Sequence, residues 1–523
     1  MKDSNDQSIS ALPNVELPIG WSLTKINDIV DYDGLFKDGD WVESKDQDPN
    51  GNVRLIQLAD IGDGFYRNKS DRFLTYDKAI ELNCSFLESE DILIARMPDP
   101  LGRTCIFPGD PKPCVTAVDV CIVRTGKQGA NHNWLMYIVN SPDFRTTIES
   151  LQSGSTRKRI SRKNLSKIEF PLPPLPEQRR IVTKIEELFT QLDAGVSALE
   201  KSRAQLKRYR QSVLKAAVEG KLTEEWRRSH PDVEPASVLL ERIEREREKS
   251  GRGRHKKLQP LDVSELPELP VEWEWTRLDF LAALKGGITK DSKRKSNNSR
   301  SIPYLRVANV QRGFLDLREI KEIEAPKSVI SELLLEPGDI LFTEGGDRDK
   351  LGRGWIWQGE LPECIHQNHV FRARLYSNDV SNKFVSWFGN TYGQRYFMRE
   401  GKQTTNLASI NLTKLRGFPV SLPPKEEQKE IVSEIECRLS VADQTEANLE
   451  ANLRRAARLR QSILKKAFRG ELMPQDPSDE PASVLLERIR MERSQARPIN
   501  NRGQARRGRG RPRKTAAVQT ELI

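Results

Sequence analysis

Long apolar runs are missing from this 523-residue chain. Without a stretch of about 18 apolar residues no membrane-spanning helix is predicted. The start, MKDSNDQSIS, lacks the apolar core of a secretory leader, so a cytoplasmic location is expected. Cysteine is also scarce: six residues, at 84, 105, 114, 121, 364 and 437, are too few and too irregular for a disulfide framework, and free thiols are expected. There is no GxxxxGK[ST] phosphate loop and no NPPY-type or DPPY-type methyltransferase signature, so neither nucleotide hydrolysis nor methyl transfer is expected of this chain. What charge there is leans positive. The net +10 and a pI near 9.2 favour a polyanionic partner.

What the chain does contain, it contains twice. EPASVLLERI starts at Glu234 and recurs unchanged at Glu480. The segment from Leu172 to Leu222 matches Leu422 to Leu472 at constant offset, with about 21 of 51 positions identical. Two copies of one module are implied, and such a molecule suits a partner with two half-sites. Each copy opens on a mixed globular half: LPIGWSL at Leu17 aligns with LPVEWEW at Leu269, placing Trp21 and Trp273 at equivalent points. LIQLADIGDGF at Leu55 matches YLRVANVQRGF at Tyr304, LESEDILI at Leu87 matches LEPGDILF at Leu335, and LGR occurs at Leu101 and Leu351. Alternating apolar residues bounded by Gly, Pro and Asp predict strands and turns, hence α/β domains with a substantial sheet.

A long helical half follows each globular half. Beyond PLPPLPEQ, residues Ile181, Ile185, Leu188, Leu192, Gly195, Leu199, Ser202, Leu206, Tyr209, Val213 and Ala216 have 4,3 spacing and predict a coiled-coil seam. From Pro176 to Glu219 the helix would be roughly 66 Å long, too long to pack on one compact core. In the second copy Ile431, Ile435, Leu449, Leu459 and Ile463 are expected on the seam, with Arg438, Asn452 and Lys466 interrupting it. The two helices are expected to pair with each other, antiparallel.

These residues resemble the specificity subunits of type I restriction-modification systems, over nearly the whole chain. The carriers are the proline run with EQxxIV at Glu177 to Val182 and Glu427 to Val432, RQS(V/I)LK at Arg210 and Arg460, and LPxxW at Leu17 and Leu269. The resemblance implies two mixed α/β target-recognition domains, at 17–170 and 269–419, each binding half of a bipartite asymmetric DNA site. They would be joined by two long antiparallel coiled-coil helices in a pseudo-twofold repeat, the helical spacers spanning 171–258, with its basic linker, and 420–495. A basic tail, 496–523, would be disordered. The implied partners are double-stranded DNA, two adenine-methylating modification subunits using S-adenosylmethionine, and restriction subunits using ATP and magnesium. No cofactor or catalytic residue is expected in this chain. The alternatives are a stand-alone DNA-binding protein and a nuclease.

Phosphate contacts need Lys or Arg, and base-edge reading needs Arg, Asn or Gln. The candidates are Arg157, Lys158, Arg159, Arg162 and Lys163 in the first domain, with Thr404, Thr405 and Asn406 at the equivalent stretch of the second. Lys290, Lys293, Arg294 and Arg306 form another basic stretch, and Arg96 with Arg103 and Arg348 with Arg353 flank corresponding loops. GRGRHKK at Gly251 and RRGRGRPRK at Arg506 cannot bury a core; Arg509 and Arg511 resemble an AT-hook core, with a non-specific electrostatic tether the favoured role. Two other motifs carry less. Pro98-Asp99 with Asp110-Pro111-Lys112 has the spacing of a PD-(D/E)xK nuclease, but proline sits badly in the strand such a site needs, and the second copy lacks the motif. Cys364, His366 and His369 could ligate zinc, but on a strand 366 and 369 point to opposite faces.

Overall fold

The computed structural model describes residues 9–11, 16–154, 157–250, 261–289, 298–346, 350–403 and 408–495. The chain divides into two compact units: Met1–Ser197 with Leu453–Ile523, and Ala198–Asn452. Both dividing points fall inside a long helix, so each unit contains one globular half, the start of one helix and the end of the other.

The first unit is built on a four-stranded antiparallel sheet of β1 (Leu35–Asp38), β2 (Ile92–Ala95), β3 (Thr104–Ile106) and β4 (Val120–Arg124), in the order β1-β4-β2-β3. In the second unit β5 (Ala282–Gly286), β6 (Ile340–Thr343), β7 (Gly354–Ile356) and β8 (Val370–Leu375) repeat that order as β5-β8-β6-β7. The central strands are buried from end to end, ILIA wholly apolar and ILFT apolar but for its last residue, because both faces of each sheet are covered. Ile92, Ile94, Cys121 and Val123 face the core that holds the helices. Their neighbours Leu93, Ala95, Val120 and Ile122 face a second cluster on the other side. In the second unit Ile340 and Phe342 face one cluster and Leu341 the other. Period-two alternation thus separates two cores rather than core from solvent.

Four helices complete the units: α1 (Leu175–Val218), α2 (Ala236–Lys249), α3 (Lys425–Phe468) and α4 (Ala482–Gln495). In the first unit the start of α1 lies antiparallel to the end of α3: Asp193 pairs with Arg460, and Arg180, nearer the start of α1, pairs with Asp479 beyond the end of α3, so one sequence number falls as the other rises. In the second unit the end of α1 pairs with the start of α3 in the same sense: Arg210 pairs with Asp443, and Arg227, in the short helix Glu224–Ser229 beyond α1, pairs with Glu427. The expected antiparallel pairing is therefore present in each unit. The seam keeps Leu192, Leu199, Leu206 and Val213 of the predicted one and departs from it at Gly195, Ser202 and Tyr209.

After Ile185 the covered stripe of α1 runs through Phe189, Leu192, Val196, Leu199, Leu206, Arg210, Val213 and Ala217. Gly195, Ser202 and Tyr209 point outward. The stripe of α3 is the same one 250 residues later, with Leu453 added where α1 has the exposed Arg203: Ile435, Leu439, Ala442, Glu446, Leu449, Leu453, Ala456, Arg460, Ile463 and Ala467. Leu459 is exposed, and so are Arg438, Asn452 and Lys466, which lie off the seam and interrupt nothing. The physical reason is that arginines occupy inner positions. Arg460 stacks 4.1 Å over the Phe189 ring and pairs with Asp193; Arg210 pairs with Asp443 at 2.6 Å and Glu446 at 2.8 Å. Their aliphatic stems cover apolar surface while the guanidinium reaches the partner helix, so charge at a seam position is no break.

The duplicated motifs turn out to hold one another. Trp21 donates its indole N–H to Glu177 at 2.9 Å, and Trp273 donates to Glu427 at 2.8 Å, both buried. The glutamines that follow are equally matched. Gln178 accepts from the backbone N–H of Asn131, which caps the helix His132–Val139, and donates to the Pro173 carbonyl. Gln428 accepts from Ser381, which caps the helix Asn382–Glu400, and donates to Pro423. At the far ends of the long helices Gly220 (φ +70) and Gly470 (φ +71) turn the chain in the left-handed region. A Cβ there would sit 2.7 Å from Pro270 Cγ and 2.4 Å from Pro18 Cγ, the prolines of the two LPxxW motifs. Finally the repeated ASVLLERI helices dock by one equivalent bond each: Ala236 N–H to the Glu272 carbonyl and Ala482 N–H to Gly20.

Candidate nucleic-acid interface

The basic loop of the first unit is anchored beside the sheet. Ser153 and Arg159 exchange two backbone hydrogen bonds, at 2.8 and 2.9 Å, and Ile160 donates to the Arg96 carbonyl at 3.0 Å. Ser161 then caps a short helix, Arg162–Leu165. This leaves Arg157, Lys158, Arg159, Arg162 and Lys163 exposed along one short stretch. Arg96 lies beneath it, donating to Asp38 at 2.7 Å and to the carbonyls of Ile160 and Val118. Arg162 reaches the same carboxylate at 3.4 Å and sits over Phe36. Asp38 therefore ties strand β1 to two candidate arginines. Sequence reading missed it, since Asp38 stands 58 and 124 residues from the two arginines and carries no local signal of the pairing.

Arg103 has a different place. It is 4% exposed and donates to the carbonyls of Leu58, Ile61, Met97 and Pro100. Burial pushes its pKa down, yet four oxygen acceptors keep a charged guanidinium satisfied. The expectation that it touches DNA does not fit this burial: it fastens a loop. Arg353, its counterpart, donates to the Val307 carbonyl, which stands where Leu58 stands in the first unit. Arg306 is turned toward Glu319, whose backbone and side-chain oxygens both lie at 3.3 Å. Lys290, Lys293, Arg294, Arg348, Thr404, Thr405, Asn406, Arg509 and Arg511 lie outside the described residues.

The two motifs of other chemistry are occupied with packing. Asp110 pairs with Arg54 at 2.9 Å and accepts from the Lys112 backbone, while the Lys112 ammonium lies 4.6 Å over the Phe73 ring. His366 is fully buried, with Nδ1 2.7 Å from the Val370 carbonyl. Burial, with Arg372 and Arg374 adding repulsion, pushes its pKa down to about 4. His369 is exposed and faces Glu344 instead.

The family model described as "Type I restriction modification DNA specificity domain" matches residues 18–206 and 270–453. Among curated proteins the chain is 29% identical over 371 residues to the type I restriction enzyme EcoKI specificity subunit of Escherichia coli strain K12, covering 69% of this chain and 72% of that protein. It is 29% identical over 372 residues to the StySPI specificity subunit of Salmonella potsdam, with the same coverage. The fold is similar to that of the HsdS subunit from Thermoanaerobacter tengcongensis, with a TM-score of 0.50 at 17% identity over 88% of this chain and 99% of that one. A chain of a type I R-M system solved for its complex assembly and conformational transition gives 0.58 at 19% identity, over 87% of this chain and all of that one.

Proposed function

Because the chain belongs to the family of type I restriction modification DNA specificity domains, we propose that it is the subunit that reads DNA for such a system, each unit recognising one half of a bipartite, asymmetric site. The observation that carries this reading is the pattern of what the two units share. Sheet order, Trp–Glu bonds, glutamine caps and LGR arginines repeat, while the residues at the ends of the central strands and the loops beside them differ. One scaffold used twice with different surface chemistry is what reading two unlike half-sites requires. Arg96, Arg157, Lys158, Arg159, Arg162 and Lys163 would supply phosphate and base contacts in the first half.

The partners in this reading are two modification subunits that use S-adenosylmethionine to methylate adenine, and restriction subunits that use ATP and magnesium, all in the cytoplasm. The chain itself does no chemistry. Its Gly/Arg-rich tail adds sequence-independent attraction to the phosphate backbone. The test is an exchange of residues 17–170 for those of a relative, with methylated adenines mapped genome-wide in cells carrying the modification subunits. One half-site should change and the other persist. Loss of preference in both halves refutes independent readers, and cutting of DNA by the purified chain with magnesium alone refutes the non-catalytic assignment.

A further inference from the structure

Strands β2 and β6 end at corresponding points, and the residues just beyond them carry opposite charge. The registers Ala95 to Val120 and Thr343 to Val370 make Arg96 and Asp119 the counterparts of Glu344 and His369. The backbone agrees bond for bond. Arg96 N–H donates to the Asp119 carbonyl at 2.9 Å, and Glu344 N–H donates to the His369 carbonyl at 2.9 Å. The Arg96 carbonyl accepts from Ile160 at 3.0 Å, and the Glu344 carbonyl accepts from Ile410 at 2.8 Å. On this shared frame the first unit places a cation on the β2 side and an anion on the β4 side. In the second unit Glu344 sits on the β6 side, with its carboxylate 2.6 Å from His369 Nδ1 on the β8 side.

The carboxylate–arginine clamp at the start of these strands serves the fold, and its carboxylate is the same in both units and buried. Asp91 and Asp339, 0% and 1% exposed, each clamp one arginine, Arg124 and Arg374. Glu344 and His369 differ from their counterparts, and their side chains remain 25% and 53% exposed. A shared backbone frame with inverted chemistry, solvent-facing at Glu344 and His369 while Arg96 keeps 12% of its side chain exposed, marks a position that answers to a ligand rather than to packing. Arginine suits the paired acceptors of guanine, and a carboxylate suits the exocyclic amine of cytosine. We infer that the Glu344–His369 pair reads a base edge in the half-site of the second unit, the carboxylate accepting from an exocyclic amine and His369 orienting it, as Arg96 does with opposite polarity in the first. This inference rests on the reading of the chain as a DNA specificity subunit.

The test uses the full chain assembled with the modification subunits of its own system, with methylated adenines mapped by single-molecule sequencing. If the wild-type assembly methylates no bipartite site, the specificity-subunit reading itself fails, and the inference with it. Given a wild-type site, Glu344→Gln keeps the shape and replaces an acceptor by a donor. The expected result is a changed or relaxed base at a position of one half-site, with methylation of the original site slowed roughly ten- to a hundredfold and the other half intact. His369→Ala should relax the same position, and Arg96→Lys should act on the opposite half. If Glu344→Gln and His369→Ala both methylate the original site within about twofold of wild type, the inference is overturned. A change in both halves from Glu344→Gln also overturns it. Should Glu344→Gln abolish methylation, competition binding decides: loss of preference for the wild-type duplex over one scrambled in that half supports the inference, and retained preference overturns it.

Discussion

Removing the buried carboxylate of Glu427 should cost far more than removing its twin Glu177. Glu427 is 0% exposed; one oxygen accepts from the Trp273 indole, and the other takes Thr223 Oγ1 at 2.7 Å and pairs with Arg227. In Glu427→Leu the Arg227 guanidinium, with its side chain 14% exposed, loses its counter-charge, and two neutral donors lose their acceptor. Breaking a buried pair from one side costs about 3–5 kcal/mol. At 2–4 °C per kcal/mol for a domain of this size, melting should fall by roughly 6–20 °C. Glu177 holds Trp21 and faces Gln475, but Met473 stands where Thr223 does, and residues 474–479, which match the helix Glu224–Ser229 that carries Arg227, are not helical. Burial also raises the pKa of Glu177, so its replacement relieves a desolvation cost. Glu177→Leu should therefore lose about 1–2 kcal/mol, the scale of one buried hydrogen bond. Scanning calorimetry of both variants, with an Arg227→Met cycle for the coupling, measures the difference. Equal losses at the two positions, or additivity of Glu427→Leu with Arg227→Met, would refute the reasoning.

Two further outcomes follow from the same geometry. Gly470→Ala should destabilise by about 2–4 kcal/mol, since it adds left-handed strain to a Cβ that meets Pro18 at 2.4 Å, whereas Gly195→Ala, with open space around it in mid-helix, should stabilise by about 0.5–1 kcal/mol in denaturant titrations. His366, held near a pKa of 4 against 6.5 when unfolded, contributes stability that is complete above pH 6.5 and is lost as pH falls from 6.5 to 4. The limit is on the order of 3 kcal/mol. Melting temperature should therefore drop across that window in wild type and drop less in His366→Gln; Glu177, whose pKa is raised, works in the opposite sense. Parallel pH slopes in the two proteins would contradict the assignment.

What the sequence by itself determined is whatever depends on neighbours in the chain. Strands and long helices follow from periods of two and three-and-a-half, and the duplication from identity at a constant offset; all are local or comparative patterns, and they suffice for the family and the layout of the copies. The motif LPxxW could be seen to repeat, but its purpose could not: Trp21 meets Glu177 156 residues away, and Pro18 meets Gly470 across most of the chain's length. The seam shows the same limit. Apolarity placed Tyr209 and Leu459 inside, while folding put Arg210 and Arg460 there, because each guanidinium found an aspartate on the facing helix. Charge is where sequence says least. Arg96, Arg103 and Arg162 look alike in a string of letters, yet one is mostly buried on Asp38, one is spent on four carbonyls and one stays largely exposed while reaching Asp38 from over the Phe36 ring. A charged side chain's role is set by which acceptors surround it and how much water remains, and only tertiary structure supplies both.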